Sequence, residues 1–353
     1  MSLSDSCRRE PGPPVESERG RGRLARVTSS FPAPTDDPLV TRVLMALLSM
    51  QRYSWEQGVA SHALLDLHQD ALVEAMARDA VTHQSGDGNL ADLREQGVVN
   101  SGSLGEAVSG VARRTGDDRL QQAFDRQLHW LLVTAPRATD GTLFHLYGGQ
   151  ECWVDSVYMV VPVLALGGHV SEAARQLEGH RRRLFDPGTG LYSSRWDEAT
   201  GQLTHPQHWG TGNGWVVAGI ARVLRLLAGS EDAGSDFAHE AASHARVVID
   251  ACLAHRRPDG SFGDVVDDPG SFEENNLGQM LSFACSSGVA DGWLPDHYAA
   301  TATELLERAR GCVDAAGFVT PVCGAPAFDR PGTSVEAQAF FLLASAAARR
   351  LAG

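Results

Sequence analysis

The chain has 353 residues, is 43% hydrophobic and carries a formal net charge of -14. That length and apolar content supply a large core and exclude general disorder, while the acidic balance gives no general attraction to nucleic acid or to an anionic membrane. Six cysteines, Cys7, Cys152, Cys252, Cys285, Cys312 and Cys323, stand far apart without a C-x-x-C pair, which argues against a zinc ribbon or redox motif and suits thiols in a reducing compartment.

Residues 1–35 are rich in Ser, Pro, Gly and charge and lack the apolar stretch of a secretory signal, so a disordered tail and a cytoplasmic location are expected. No apolar run approaches the length of a membrane span. From residue 36 to 353 a single domain is expected. Five loop signals recur in it: GDGNL at 86, DGTLF at 140, GTGLY at 188, DGSFG at 259 and AGFV at 316. Their markers Gly88, Gly141, Gly190, Gly260 and Gly317 are 53, 49, 70 and 57 residues apart, and such turn chemistry at a long period points to repeated helical hairpins.

Two helices fit in each repeat. A polar-faced set is expected at 36–50, 70–83, 117–133, 169–183, 235–256 and 296–312. A small, apolar set is expected at 54–67, 97–113, 150–167, 209–228, 273–288 and 333–350. Helices that are apolar nearly all round should be buried and amphipathic ones should cover them. Six hairpins of this kind make an all-α (α/α)6 barrel; an open solenoid would want polar capping repeats, and SVEAQAFFLLASAAARRLA at the end is apolar like the other inner helices.

The starts of the apolar helices carry the unusual polar and aromatic residues. They read YSWEQG (Trp55, Glu56, Gln57), GVVNSGSLGE (Asn100, Ser101, Glu106), ECWVDS (Trp153, Asp155), HWGTGNGW (His208, Trp209, Thr211, Asn213, Trp215), FEENN (Glu273, Glu274) and GTSVEAQ (Thr333, Ser334, Glu336). In an inner ring running one way these starts meet in one cavity. Tryptophan faces suit sugar rings, and amide, hydroxyl and carboxyl groups supply the placed hydrogen bonds that a polyol needs. Helix N-termini favour an anionic ligand, so a carbohydrate carrying a carboxylate fits.

Plainer roles compete at each position. Ser101, Thr333 and Ser334 read as helix caps, Glu106 and Glu336 as partners of basic neighbours, Asn213 as a turn residue, and Trp153 and Trp215 as core. Asp155 stands out, because an unpaired carboxylate in the apolar run ECWVDSVYM is costly to desolvate. Either it has a partner elsewhere or it is an acid with a raised pKa. No H-E-x-x-H or other zinc spacing occurs, GTGNGW has no preceding strand for a dinucleotide site, and DVVDD at 264–268 reads as a solvated loop, so neither metal nor cofactor is expected.

The pieces YSWEQGVASHALLDL, WVDSVYMVVPVLA, GLYSSRWDE, HWGTGNGWVVAGIARVL, FEENNLGQMLSFA and SVEAQAFFLLA, in that order, resemble the unsaturated uronyl hydrolases of glycoside hydrolase families 88 and 105. The resemblance implies an (α/α)6 barrel and substrates that are small oligosaccharides ending in a 4,5-unsaturated uronic acid, of the rhamnogalacturonyl or glucuronyl type. It implies that an aspartate, matched by Asp155, protonates C4 of the vinyl ether and helps deliver water to C5, after which the hemiketal opens. Apolar packing would raise its pKa and keep the proton available.

Three positions depart from the family's pattern: Asn100 stands for a second aspartate, Thr211 for an arginine that meets the uronate, and Ser194 for a histidine after the G-L-Y turn. Asn100 can orient a sugar hydroxyl or hydrogen-bond Asp155; Arg195, His205, His208 or helix dipoles could take over the uronate. The expected site is therefore Asp155 and Asn100 as catalytic residues, with Trp55, Glu56, Gln57, Trp153, His208, Trp209, Thr211, Asn213, Trp215 and Glu274 around the substrate. A monomer or homodimer is expected. Rival readings are an inverting glycosidase or sugar epimerase with a second carboxylate, and a carbohydrate-binding protein that has lost its chemistry.

Overall fold

The computed structural model describes residues 36–91 and 96–353. The expected tail at 1–35, with Cys7, lies outside the described residues. Among the described residues there are twelve α-helices: α1 (Pro38–Met50), α2 (Ser54–Asp66), α3 (Asp70–Thr82), α4 (Gly105–Thr115), α5 (Asp118–His129), α6 (Ser156–Leu166), α7 (Val170–Leu184), α8 (Gly210–Leu227), α9 (Asp236–Ala254), α10 (Asn276–Ala290), α11 (Tyr298–Gly311) and α12 (Val335–Ala352).

The even-numbered helices form the inner ring. α2 packs on the 3-10 turn Asn100–Leu104 that leads into α4, that turn packs on α6, and the contacts continue from α6 to α8, α10, α12 and back to α2. The ring is closed. The odd-numbered helices lie outside it, α3 and α5 on α4, α7 on α6, α9 on α8, α11 on α10 and α1 on α12, which makes the (α/α)6 barrel expected from the two helix types.

Burial follows the sequence patterns. In α6 every residue from Ser156 to Ala165 is buried, and in α12 every residue from Val335 to Ala347, as helices apolar all round require. The outer α5 instead buries Leu120, Ala123, Phe124, Gln127 and Leu128, one stripe at i, i+3, i+4, i+7 and i+8. The polar member of that stripe has a purpose: Gln127 Oε1 accepts the Leu90 N–H at 2.8 Å. Gln176 does the same for Leu143 at 2.9 Å, Asn213 for Tyr192 at 2.8 Å and Gln338 for Val319 at 2.7 Å. Each recipient lies two residues after a marker glycine, so four of the five turns are pinned by a buried amide that satisfies an otherwise stranded N–H. All five marker glycines have positive φ, from 75° at Gly190 to 109° at Gly88, as the turn reading requires.

Three inner segments begin differently from the helices expected. The second opens as a 3-10 turn at Asn100–Leu104, where Gly102 lets the chain approach α6 so closely that a Cβ would stand 2.5 Å from the Met159 carbonyl oxygen. The third opens as a strand, Glu151–Trp153, paired antiparallel with Arg195–Asp197, which pairs in turn with Gln202–His205. The fifth opens with Glu273–Glu274 paired to Phe262–Gly263.

The ring interior is braced by charge. Arg222 of α8, 2% exposed, donates to Glu106 of α4 from Nε at 2.6 Å and Nη2 at 2.9 Å, and Nη2 lies 3.6 Å from Asp66 of α2. Glu106 therefore has its basic neighbour. Among the described residues, no helix is long and apolar enough to cross a membrane.

Candidate active site

A cavity of about 810 Å³ opens at the N-terminal ends of the inner helices. Its wall includes Tyr53 and Trp55 of the α2 start, Asn100, Trp153 and Asp155 before α6, Trp209 and Trp215 of the α8 start, Asp264 and Val265 before α10, and Glu336 of α12. Strand ends add Arg195 and His205, and loops add Gln96, His145, Ser194, Gln207 and the segment Pro326–Asp329.

Asp155 ends the strand-to-helix turn, at the N-cap of α6, yet its side chain does not cap the helix. Its carboxyl is 21% exposed, and among the described residues Oδ1 is buried without a hydrogen-bond partner. His145 Nδ1 stands 3.6 Å from that oxygen and 2.9 Å from Ser156 Oγ. Burial holds the His145 imidazole below its ordinary value, so at neutral pH it is a neutral neighbour and not a counter-cation. Asn100 is 8% exposed and its Oδ1 also lacks a partner among the described residues; the hydrogen bond to Asp155 that its position allowed is not formed.

The antiparallel register places Arg195 opposite Trp153. As a cross-strand pair they stack, the guanidinium carbon 3.7 Å from the indole centroid, a close cation–π contact. His145 lies parallel to the same indole at 4.2 Å. Arg195 is the one arginine or lysine among the described residues of the wall. On the far side Phe328 meets Trp55 at 6.4 Å and Trp209 at 6.2 Å, and Trp55 meets Trp215 edge-on at 6.5 Å. Phe328 holds φ at 53°, a costly conformation for a bulky side chain that the loop maintains at the cavity.

Six of the expected residues thus meet in the cavity: Asp155, Asn100, Trp55, Trp153, Trp209 and Trp215. Six lie outside its lining. Glu56 turns back to accept the N–H groups of Arg52 and Tyr53, closing the first turn of α2, and Gln57 is half-buried beside it. His208 bonds Asp267 at 2.7 Å. Thr211 is fully buried with Oγ1 unpartnered among the described residues, Asn213 is occupied with the Tyr192 backbone and Trp209, and Glu274 caps α10 by accepting from Asn276 and Leu277, both at 2.8 Å.

A Glycosyl Hydrolase Family 88 model matches residues 26–351. The chain belongs to glycosyl hydrolase family 88. It is 26% identical over 277 residues to the unsaturated rhamnogalacturonyl hydrolase YesR of Bacillus subtilis (strain 168), covering 71% of this chain and 73% of that protein. Its fold is similar to a possible GH105 member from Klebsiella pneumoniae, with a TM-score of 0.76 at 17% identity over 88% of this chain and 91% of the other. The unsaturated glucuronyl hydrolase of Bacillus sp. GL1 superposes with a TM-score of 0.65 at 13% identity, over 88% of this chain and 94% of that one.

This glycoside hydrolase also lines its cavity with residues outside the twelve expected as its site. His145 and Phe328 had no local signal, since a turn and a late loop reach the site only through the fold. Asp264 was read as solvated loop, yet burial raises its carboxyl and Oδ1 is unpartnered among the described residues. Glu336, for which a basic partner was one expectation, has no ion pair among the described residues; burial, with Glu56 and Glu274 nearby, pushes it up to about 8.

Proposed function

We propose that this family 88 hydrolase removes a terminal 4,5-unsaturated uronic acid from small oligosaccharides by hydrating its vinyl ether, with Asp155 as acid and then base. The observation that carries the reading is the Asp155 carboxyl itself: an oxygen without a partner among the described residues, held in an aromatic cavity beside a neutral histidine. In this reading Asp155 gives its proton to C4 and water adds at C5 while losing a proton to the Asp155 carboxylate. The C5 hemiketal then opens, its C5–O ring bond breaking to a C5 ketone and leaving a hydroxyl on C1; that C1 hemiacetal collapses to an aldehyde as the C1–O glycosidic bond breaks, and the remaining saccharide leaves with its hydroxyl. The balance needs only water, and one carboxyl performs both transfers.

Arg195 supplies the charge for the uronate carboxylate in place of the arginine absent at Thr211. Asn100 orients a hydroxyl, and Trp55, Trp153, Trp209 and Trp215 pack on sugar faces. The activity named for YesR, a relative over most of its length, supports the substrate class. A cytoplasmic location is supported by the free state of Cys152, Cys252, Cys285, Cys312 and Cys323. The enzyme acts in this reading as a monomer or homodimer.

The test is turnover of lyase-generated unsaturated disaccharides in heavy water. Hydration of the vinyl ether fixes one solvent deuterium on carbon C4 and removes the double-bond absorbance. Release of sugar with the double bond retained would instead mark ordinary glycosidic cleavage and overturn the proposal.

A further inference from the structure

Glu336 lines the cavity and has no part in the hydration just described. It sits in the first turn of α12, three places around the inner ring from α6 and so across the cavity from Asp155. The residue is 1% exposed, and among the described residues Oε2 accepts no hydrogen bond and no cation pairs with the carboxyl. Leaving a buried oxygen unsatisfied is costly, so its place on the wall asks for a partner that arrives from the cavity.

Its surroundings decide the protonation state. From α2 comes Glu56, and from the strand before α10 comes Glu274; both are already committed to backbone N–H groups, Glu274 to a third at Cys323. Burial raises Glu336 most; hydrogen bonds from its own backbone N–H and the Ser334 hydroxyl oppose that rise, and the Glu56 and Glu274 carboxyls add to it. Among the described residues, α2, which packs on α12, and the strand before α10 supply the charged groups that act on it. At neutral pH Glu336 is a neutral acid with one donor and one acceptor, a match for a sugar hydroxyl. A carboxylate or sulfate there would face Glu56 and Glu274 without a cation. Arg195, the cation of the wall, belongs to the α6 side.

The cavity is therefore polarised, and this inference rests on the hydrolase reading. We propose that Glu336 is a specificity-determining residue: its carboxyl hydrogen-bonds a hydroxyl of the uncharged sugar attached to the unsaturated uronate, selecting substrates with an uncharged second sugar over those with a sulfated one.

The experiment compares kcat and KM of wild type, Glu336→Gln and Glu336→Leu at pH 6.5 and pH 9, on an unsaturated uronate joined to an uncharged sugar and on one joined to a sulfated sugar. Wild type favours the uncharged sugar, and its KM for that substrate rises roughly tenfold by pH 9, one hydrogen bond being about 1.4 kcal/mol. Glu336→Gln, which keeps a donor and acceptor but cannot ionise, has a KM that no longer changes with pH. Glu336→Leu raises KM at pH 6.5 to about the level wild type reaches at pH 9, shows no further rise at pH 9, and changes kcat little.

An equal pH rise in Glu336→Gln and wild type, or wild-type preference for the sulfated sugar, overturns the proposal. If the leucine variant does not fold, the first comparison still decides. If neither substrate is turned over, the hydrolase reading fails by itself, and calorimetric binding of the uncharged disaccharide to wild type and Glu336→Gln decides this one by the same pH criterion. Absence of binding overturns both.

Discussion

Replacing Arg222 with methionine removes the centre of the charged brace and leaves its volume roughly filled. Asp66 keeps Arg225 at 2.8 Å, so the loss falls on Glu106. That carboxylate gives up both guanidinium hydrogen bonds, at 2.6 and 2.9 Å, and retains His62 at 3.7 Å. His62 is a poor replacement for the cation, because burial, which the variant leaves in place, is the largest cause holding it well below its ordinary value. Breaking a buried pair from one side costs about 3–5 kcal/mol. In a domain of this size roughly 2 °C accompanies each kcal/mol, so the thermal midpoint followed by circular dichroism falls by about 6–10 °C. Arg222→Met combined with Glu106→Gln, which removes the stranded charge, recovers at least half of the loss. A single-variant shift under about 2 °C, or a double variant worse than the single, would refute the cross-brace.

Other consequences can be checked separately. Gly102→Ala places a methyl 2.5 Å from the Met159 carbonyl oxygen and lowers stability by about 1–3 kcal/mol in urea unfolding; an unchanged midpoint would mean that α6 yields freely. Arg195→Met raises KM for an unsaturated uronide about tenfold or more, the value of one charge-assisted contact, and lowers kcat far less. Stability against pH is a dome. His180 and His244 are pulled by burial from 6.5 to about 4, so their contribution is present above about pH 6.5 and lost as pH falls toward 4. Glu274 and Glu336 are pushed from 4.5 to about 7 and about 8, so theirs is present below about pH 4.5 and lost as pH rises through 7 to 8. A melting temperature that climbs between pH 7 and 9 contradicts this, and Glu336→Gln should flatten part of the alkaline decline.

The barrel was legible because its two helix types differ in the sequence itself. α6 is apolar on every side and α5 on one stripe, and the marker glycines place turns between them. Convergence of the inner helix starts was legible for the same reason: six of them running one way have one end in common, which brought Trp55, Asn100, Asp155 and Trp215 together. What failed to follow was the direction of individual side chains. Glu56 and Glu274 point back to the N–H groups of their own helix starts, a local hydrogen bond that spacing cannot distinguish from a ligand contact. Asn213 was drawn to Tyr192, a partner 21 residues distant that only the folded turn supplies. Arg195 was a candidate among several; the strand register that stacks it on Trp153 singles it out. Asp264 escaped because DVVDD reads as a solvated loop, and the unpartnered Oε2 that marks out Glu336 is a property of the packed barrel and not of SVEAQ.

Asp155 as the proton donor is the centre of the proposed chemistry. The direct measurement is the rate of absorbance loss from an unsaturated uronyl disaccharide with wild type and Asp155→Asn, alongside calorimetric binding of the same disaccharide to each. General acid–base catalysis contributes about 10²–10⁴-fold, so the account predicts a fall in kcat of at least about 10²-fold in the variant with binding retained within a few-fold. Equal rates in the two proteins, or a fall explained wholly by lost binding, would contradict it.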